Sequence, residues 1–233
     1  MKNKTIGVLG GMGPATSANF YCAMIKYAQQ KYGAVNDTDF PQIIINSLPL
    51  QGFDETGVLD KKLVLNQLKK GIRTLENAGT DFIAIPCNTV HCFIDELRND
   101  SNIPILSIIE ETIKVIQEIK IEQIGILGSE TTLKLKLYEN GLKENNISFC
   151  TLREEHYPII TALILGIMGG SSVDNKDVLN IIAEMSKSTK GIILGCTELH
   201  SAIKQSDTTV TVFDSLNILA EAAVNEALRK TCQ

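Results

Sequence analysis

Apolar residues along this chain fall into two alternating patterns. Short apolar-rich runs occur at Thr5–Leu9, Gln42–Asn46, Asp81–Ile85 and Ile105–Ser107, and again at Gln123–Leu127, Ile147–Cys150, Gly191–Leu194 and Val210–Val212. Runs of this length, rich in Ile, predict strands buried on both faces. Between them, apolar residues recur every three or four positions, the helical period. In Lys61–Ala78, Val64, Leu68, Ile72 and Leu75 line one face, with Asp60 at the N-cap position and Gly79 at the stop. Further helical patterns cover 131–145, 174–187 and 214–230, and the Glu-rich stretch 107–120 reads as a solvated amphipathic helix. Strands alternating with helices predict an α/β fold built on parallel-rich sheets flanked by helices.

The pattern also repeats. IGVLG (6–10) returns as IGILG (124–128), a shift of 118, and Cys87 with His91 returns as Cys196 with His200, a shift of 109. A period this coarse denotes a duplicated half rather than a solenoid. The expectation is two similar, pseudo-symmetric lobes with the active site between them. Residues 1–112 with 213–233 would form the first lobe and 113–212 the second, the last helix returning to the first.

Composition narrows the function. The 233 residues are 44% hydrophobic, enough for a sizeable core, and the formal charge of −5 without a basic run speaks against a nucleic-acid surface. The longest apolar stretch, Ile159–Met168, is too short to span a bilayer. MKNKT passes directly into a strand and a glycine turn without a signal-peptide core, so a cytoplasmic protein with no membrane partner is expected. In that compartment the six cysteines (22, 87, 92, 150, 196 and 232) read as thiols rather than bridges. Cys22 and Cys150 read as small buried hydrophobes, and Cys232 lies in a tail expected to fray.

Cys87 and Cys196 stand apart. PCNTVH (86–91) and CTELH (196–200) each follow an apolar strand and place His four residues after Cys. Parallel α/β sheets bind ligands at the carboxyl ends of their strands. A following helix start would favour an anion there and lower a thiol pKa from about 8.5. Asn88, Thr89, Thr197 and Glu198 can hold a small polar ligand, a carboxylate above all. Two thiols on opposite sides of a bound carbon suit a proton relay through that carbon. One removes a proton next to a carboxylate, and the other returns a proton from the far face. That chemistry needs neither pyridoxal phosphate nor a metal, so no cofactor is expected. Two structural cysteines, or a zinc site of Cys87, His91, Cys196 and His200, compete with this reading. CNTVHC has C-x4-C spacing, against a redox pair. GGMGP (10–14) lacks the third glycine of a dinucleotide turn and the GK[ST] of a P-loop. It predicts a tight turn that lets a small ligand approach the backbone, with Pro14 opening a helix.

On these residues the chain resembles the cofactor-independent aspartate/glutamate racemase family. IGVLGGMGP, PCNT followed by His91, IGILGS, GCTEL and VFDS carry the resemblance over essentially the whole length. It implies a two-lobe α/β fold, a homodimer, an interlobe active site, and Cys87 and Cys196 as the acid/base pair. It further implies that Asn88, Thr89 and Thr197 hold the substrate's carboxylate and amino group and that Met12 lines the pocket. The expected function is a PLP-independent racemase of aspartate or glutamate. Family members often meet a second carboxylate with a basic side chain from the loop after the second strand or the helix after His156. Here NSLPLQGFDETG (46–57) and YPIITALILGIMGG (157–170) contain neither Arg nor Lys. Arg153 is the nearest cation, and Gln51, Thr131, Thr132 and backbone N–H groups are the remaining candidates. A decarboxylase or cis–trans isomerase of small dicarboxylates, and a non-catalytic small-anion or zinc-binding protein, are the alternatives; retention of both thiols favours racemisation.

Overall fold

The computed structural model describes residues 3–54 and 57–229. The first half runs β1 (Ile6–Gly10), α1 (Pro14–Tyr32), β2 (Ile43–Ser47), β3 (Phe53–Asp54), β4 (Gly57–Val58), α2 (Lys61–Asn77), β5 (Phe82–Ala84), α3 (Ile94–Asp100), β6 (Ile105–Leu106) and α4 (Ile108–Ile119). The second runs β7 (Gln123–Gly128), α5 (Glu130–Lys134), α6 (Glu139–Glu144), β8 (Ser148–Thr151), α7 (Tyr157–Met168), α8 (Lys176–Met185), β9 (Gly191–Gly195), β10 (Thr211–Asp214) and α9 (Ser215–Leu228).

Two four-stranded parallel sheets result, ordered β2-β1-β5-β6 and β10-β9-β7-β8. In both, the glycine-turn strand and the cysteine strand lie side by side at the centre, so the sequence duplication extends to the tertiary plan. β1 and β7, the IGVLG and IGILG strands, are the inner strands whose carboxyl ends carry the glycine turns. β5 and β9, their neighbours, lead into the two cysteines.

The helices form for legible reasons. Asp60 accepts from Leu63 N–H at the start of α2, whose Val64, Leu68, Ile72 and Leu75 are buried as their spacing predicts. α4 hides Ile108, Ile109, Ile113 and Ile116 while its acidic residues face outward. The helix expected over 131–145 is instead two short ones. Lys136 adopts a left-handed φ of 53°, its N–H donates to Leu133 O, and Leu137 N–H donates to Thr132 O. This Schellman closure ends α5 with lysine where glycine is usual, so no composition signal marks the break. The small antiparallel β3–β4 ribbon also lies outside the strands predicted from periodicity.

One apolar cluster runs from β1 (Ile6, Val8) through α1, α4 and α9 into the whole second sheet; a second lies under α2 and α3 on the other face of the first sheet. β10 pairs with β9, while α9 packs on α1 and α4, and Lys4 N–H donates to Ala227 O at 3.1 Å. Cys22 is exposed rather than buried: α1 buries Phe20, Met24 and Ala28, and position 22 falls on the opposite face. Cys150 is half-buried on the edge strand β8. Cys232 lies outside the described residues. No helix among the described residues is long and apolar enough to cross a membrane.

Candidate active site

Each cysteine leaves its strand into a short 3-10 segment, Thr89–Phe93 after Cys87, which runs on into α3, and Thr197–Ser201 after Cys196. The expected α-helix starts are thus 3-10 in both halves, with fewer aligned peptide dipoles behind Cys196, whose segment no α-helix continues. Cys87 and Cys196 are 6% and 7% exposed. Cys87 belongs to the cluster that holds Met12, Leu9 and Val90, whereas Cys196 belongs to the cluster that holds Tyr138 and Leu199. The clusters differ, but the turns touch: Thr197 Oγ1 donates to Pro86 O at 3.4 Å. Covalent geometry alone then keeps the two cysteine Cα atoms within roughly 12 Å of each other.

A carboxylate stands at this contact. Glu198 is buried; its Oε1 accepts from Thr16 Oγ1 at 2.9 Å, and its Oε2 accepts from Cys196 Sγ at 3.1 Å and lies 3.3 Å from Thr197 Oγ1, whose single proton is shared with Pro86 O. Burying a charge is costly unless hydrogen bonds replace its water, and the Thr16 and Cys196 donors, with the shared Thr197 hydroxyl, do so here. Thr16 belongs to α1, so the carboxylate also joins the lobes.

A second strut crosses the seam. Tyr138 OH donates to Asn88 Oδ1 at 2.5 Å, Asn88 Nδ2 donates to Ser215 Oγ at 3.2 Å, and Ser215 Oγ donates to Leu194 O at 2.7 Å. Burial pushes the Tyr138 phenol pKa upward, so the group stays a donor. The VFDS segment is thereby explained. Ser215 receives Asn88, while Asp214 caps α9 through Leu216 and Asn217 N–H and takes His200 Nδ1 at 2.5 Å.

The histidines do not face a common metal. His91 Nδ1–H donates to Cys87 O at 2.8 Å, and its Nε2 accepts from Ile108 N–H at 3.1 Å. Both ring nitrogens are spent on backbone, which removes this histidine from the candidate zinc set. Burial lowers its pKa to about 4.

The other expected residues divide. Thr132 spends its hydroxyl on Ser129 Oγ at 3.0 Å in the cap of α5. Thr131, beside it, is buried with its Oγ1 lacking a partner among the described residues. Thr89 is buried at the start of the Cys87 turn. Met12 is buried in the glycine turn, where Gly11 has φ 95° and a Cβ would lie 2.3 Å from Leu48 O. Ser17 Oγ accepts from Gly11 N–H and donates to Gly13 O, holding that turn against α1. Gln51 is exposed, its backbone exchanging bonds with the Gln67 amide. Arg153 pairs with Glu155 and Glu184 on an exposed surface. Glu198, Tyr138, Thr16 and Ser215 complete the site. Of these, Glu198 was already among the polar groups expected to hold a ligand after Cys196, and Ser215 lay inside VFDS, while Tyr138 and Thr16 were not among the site candidates.

Two like halves, each delivering a thiol past the third parallel strand of its sheet to a shared seam, define a pseudo-symmetric two-cysteine α/β protein. The chain belongs to the Asp/Glu/Hydantoin racemase family, whose model matches residues 9–223, and is an isomerase of that family. It is similar to the broad specificity amino-acid racemase RacX of Bacillus subtilis, with 32% identity over 230 residues covering 96% of this chain and 98% of that one. A glutamate racemase of Aquifex aeolicus is 24% identical over 171 residues, covering 71% and 66% of the two chains. In structure it is similar to an aspartate racemase homologue from Pyrococcus horikoshii, with a TM-score of 0.82 and 28% identity over 96% of this chain and 99% of that one.

Proposed function

We propose that this chain racemises a free amino acid at Cα by two-base catalysis, with Cys87 and Cys196 as the acid/base pair and no pyridoxal phosphate. The observation that supports it is the bond from Thr197 to Pro86 O, which joins the residues next to the two thiols. One thiolate takes the Cα proton, and the C–H electron pair passes into the substrate carboxylate. The opposite thiol then delivers its proton to the other face. The Thr131 hydroxyl, which has no partner among the described residues, the Thr89 hydroxyl, the acceptor lone pairs of Thr197 Oγ1 and backbone N–H groups of the Asn88 turn are the substrate's hydrogen-bonding surface. The Asn88 amide serves chiefly to hold the lobes in register, and Met12 supplies an apolar wall.

Aspartate and glutamate are the first substrates to test, and the breadth of the B. subtilis relative makes a full panel necessary. Each amino acid and its mirror image is incubated with enzyme in deuterium oxide and separated by chiral chromatography. Racemisation with deuterium at Cα is expected, abolished in Cys87→Ser and Cys196→Ser. Full activity in either variant would refute the two-base scheme, and carbon dioxide release without racemisation would favour a decarboxylase.

A cytoplasmic homodimer is part of the same reading. Two catalytic thiols require a reducing compartment. Leu59 and Leu135 stand 68% and 42% exposed on one groove beside the β3–β4 ribbon, an apolar patch rimmed by Lys61, Glu96, Lys134 and Lys136 and suited to a second copy. Sedimentation as a monomer at micromolar concentration would count against the dimer.

A further inference from the structure

Glu198 breaks the symmetry of the two halves. A carboxylate stands two residues after Cys196, where the first half has Thr89 two residues after Cys87. Thr16 from the first lobe fixes Oε1, and Oε2 lies 3.1 Å from Cys196 Sγ, so the carboxylate is aimed at the thiol from a held position. From this aim we infer that Glu198 is a positioning residue that keeps the catalytic proton of the resting enzyme on Cys196, leaving Cys87 to act first as base. The inference rests on the two-cysteine reading above.

The proton balance follows. The Cys87 thiolate takes the Cα proton, and the C–H electron pair moves into the substrate carboxylate. The Cys196 S–H bond then breaks to protonate the opposite face, its electrons remaining on sulfur. The enzyme is left with its proton on Cys87 and a thiolate beside the Glu198 carboxylate. Two buried like charges at hydrogen-bond distance repel strongly, so this form is scarce among free enzyme molecules. One enantiomer thus meets the abundant form and its mirror image the scarce one. A ligand confined to a scarce form shows an apparent constant raised by the inverse of that population. Enantiomers are equal in free energy, so kcat/KM must be the same in both directions, and the asymmetry appears as unequal KM values matched by equally unequal kcat values.

The test compares the full-length enzyme with Glu198→Gln. kcat and KM are measured for both enantiomers of a substrate found in the panel. In parallel, iodoacetamide labelling of Cys87 and Cys196 is followed by mass spectrometry, which requires no turnover. The two cysteine residues are similarly buried, which makes their labelling comparable. The wild type should label at Cys87 ahead of Cys196 and show unequal KM values. In Glu198→Gln the KM ratio and the kcat ratio should both move toward one by on the order of tenfold, the scale of one charge-assisted hydrogen bond, and the lead of Cys87 should shrink. A merely structural role would lower both directions alike and leave the ratios unchanged, which overturns the inference. So does labelling of Cys196 first in the wild type, a result that stands even where the variant fails to fold. Racemisation absent for every amino acid, with Cys87 still labelled first, would refute the proposed function while supporting the proton assignment.

Discussion

Lowering the pH should strike this enzyme at His91. Only a neutral ring carrying its proton on Nδ1 can donate to Cys87 O and accept from Ile108 N–H at once. A second proton on Nε2 would confront that N–H inside the core. Burial, helped by the nearby Arg98 charge, therefore lowers the pKa from 6.5 to about 4. The sign follows from proton counting. Between these values the unfolded chain binds a proton that the folded chain refuses, so stability is intact above 6.5 and falls as the pH drops toward 4. The full loss is about 3 kcal/mol, of which about 2 kcal/mol falls between pH 7 and pH 5. Because the ring ties the Cys87 turn to the first turn of α4, the same proton loosens the catalytic turn. Urea unfolding at pH 7 and pH 5 measures the effect. His91→Gln, which keeps a donor and an acceptor but does not titrate, should lose about 2 kcal/mol less than the wild type over that interval. An equal loss in both proteins would refute this assignment of the acid sensitivity.

Three further outcomes are expected. Thr131→Val removes a buried hydroxyl that has no partner among the described residues; melting should not fall, while KM rises about tenfold, the value of one hydrogen bond to a charged group, and an unchanged KM would take Thr131 out of substrate binding. Tyr138→Phe leaves the Asn88 carbonyl oxygen without its short bond across the seam, costing about 1–3 kcal/mol in urea unfolding; unchanged stability would deny the strut. Gly11→Ala would put a Cβ 2.3 Å from Leu48 O at a left-handed φ, so the variant should melt well below the wild type, and a wild-type melting curve would show that the turn relaxes.

Much of the fold was legible because strands buried on both faces have few sequence solutions. IGVLG and IGILG, FIA and GIILG announced themselves as buried strands, and all eight parallel strands lie within a residue or two of their predicted bounds, although β2, β8 and β10 are only partly buried. The failures have specific causes. The break between α5 and α6 depends on a left-handed lysine, an arrangement stabilised by backbone bonds rather than by residue type. Cys22 was misplaced because hydrophobic character predicts burial only when the helical face agrees. At the site, the two cysteine turns were readable from their repeated strand-end context, while their bonding partners were not. Asn88 and Thr132 resemble ligand groups in sequence, yet the folded chain spends them on Tyr138 and Ser129.

By itself, the order of residues determined the duplicated α/β plan and the two strand-end thiols, because hydrophobic period and local motifs are properties of neighbours along the chain. Which side chains remain available for chemistry was decided only by tertiary structure. Glu198 reaches Cys196 while held by Thr16, 182 positions away in sequence, and His91 is withdrawn by a bond from Ile108. A hydrogen bond has a length of about 3 Å and a direction, and neither can be read until distant segments are brought together.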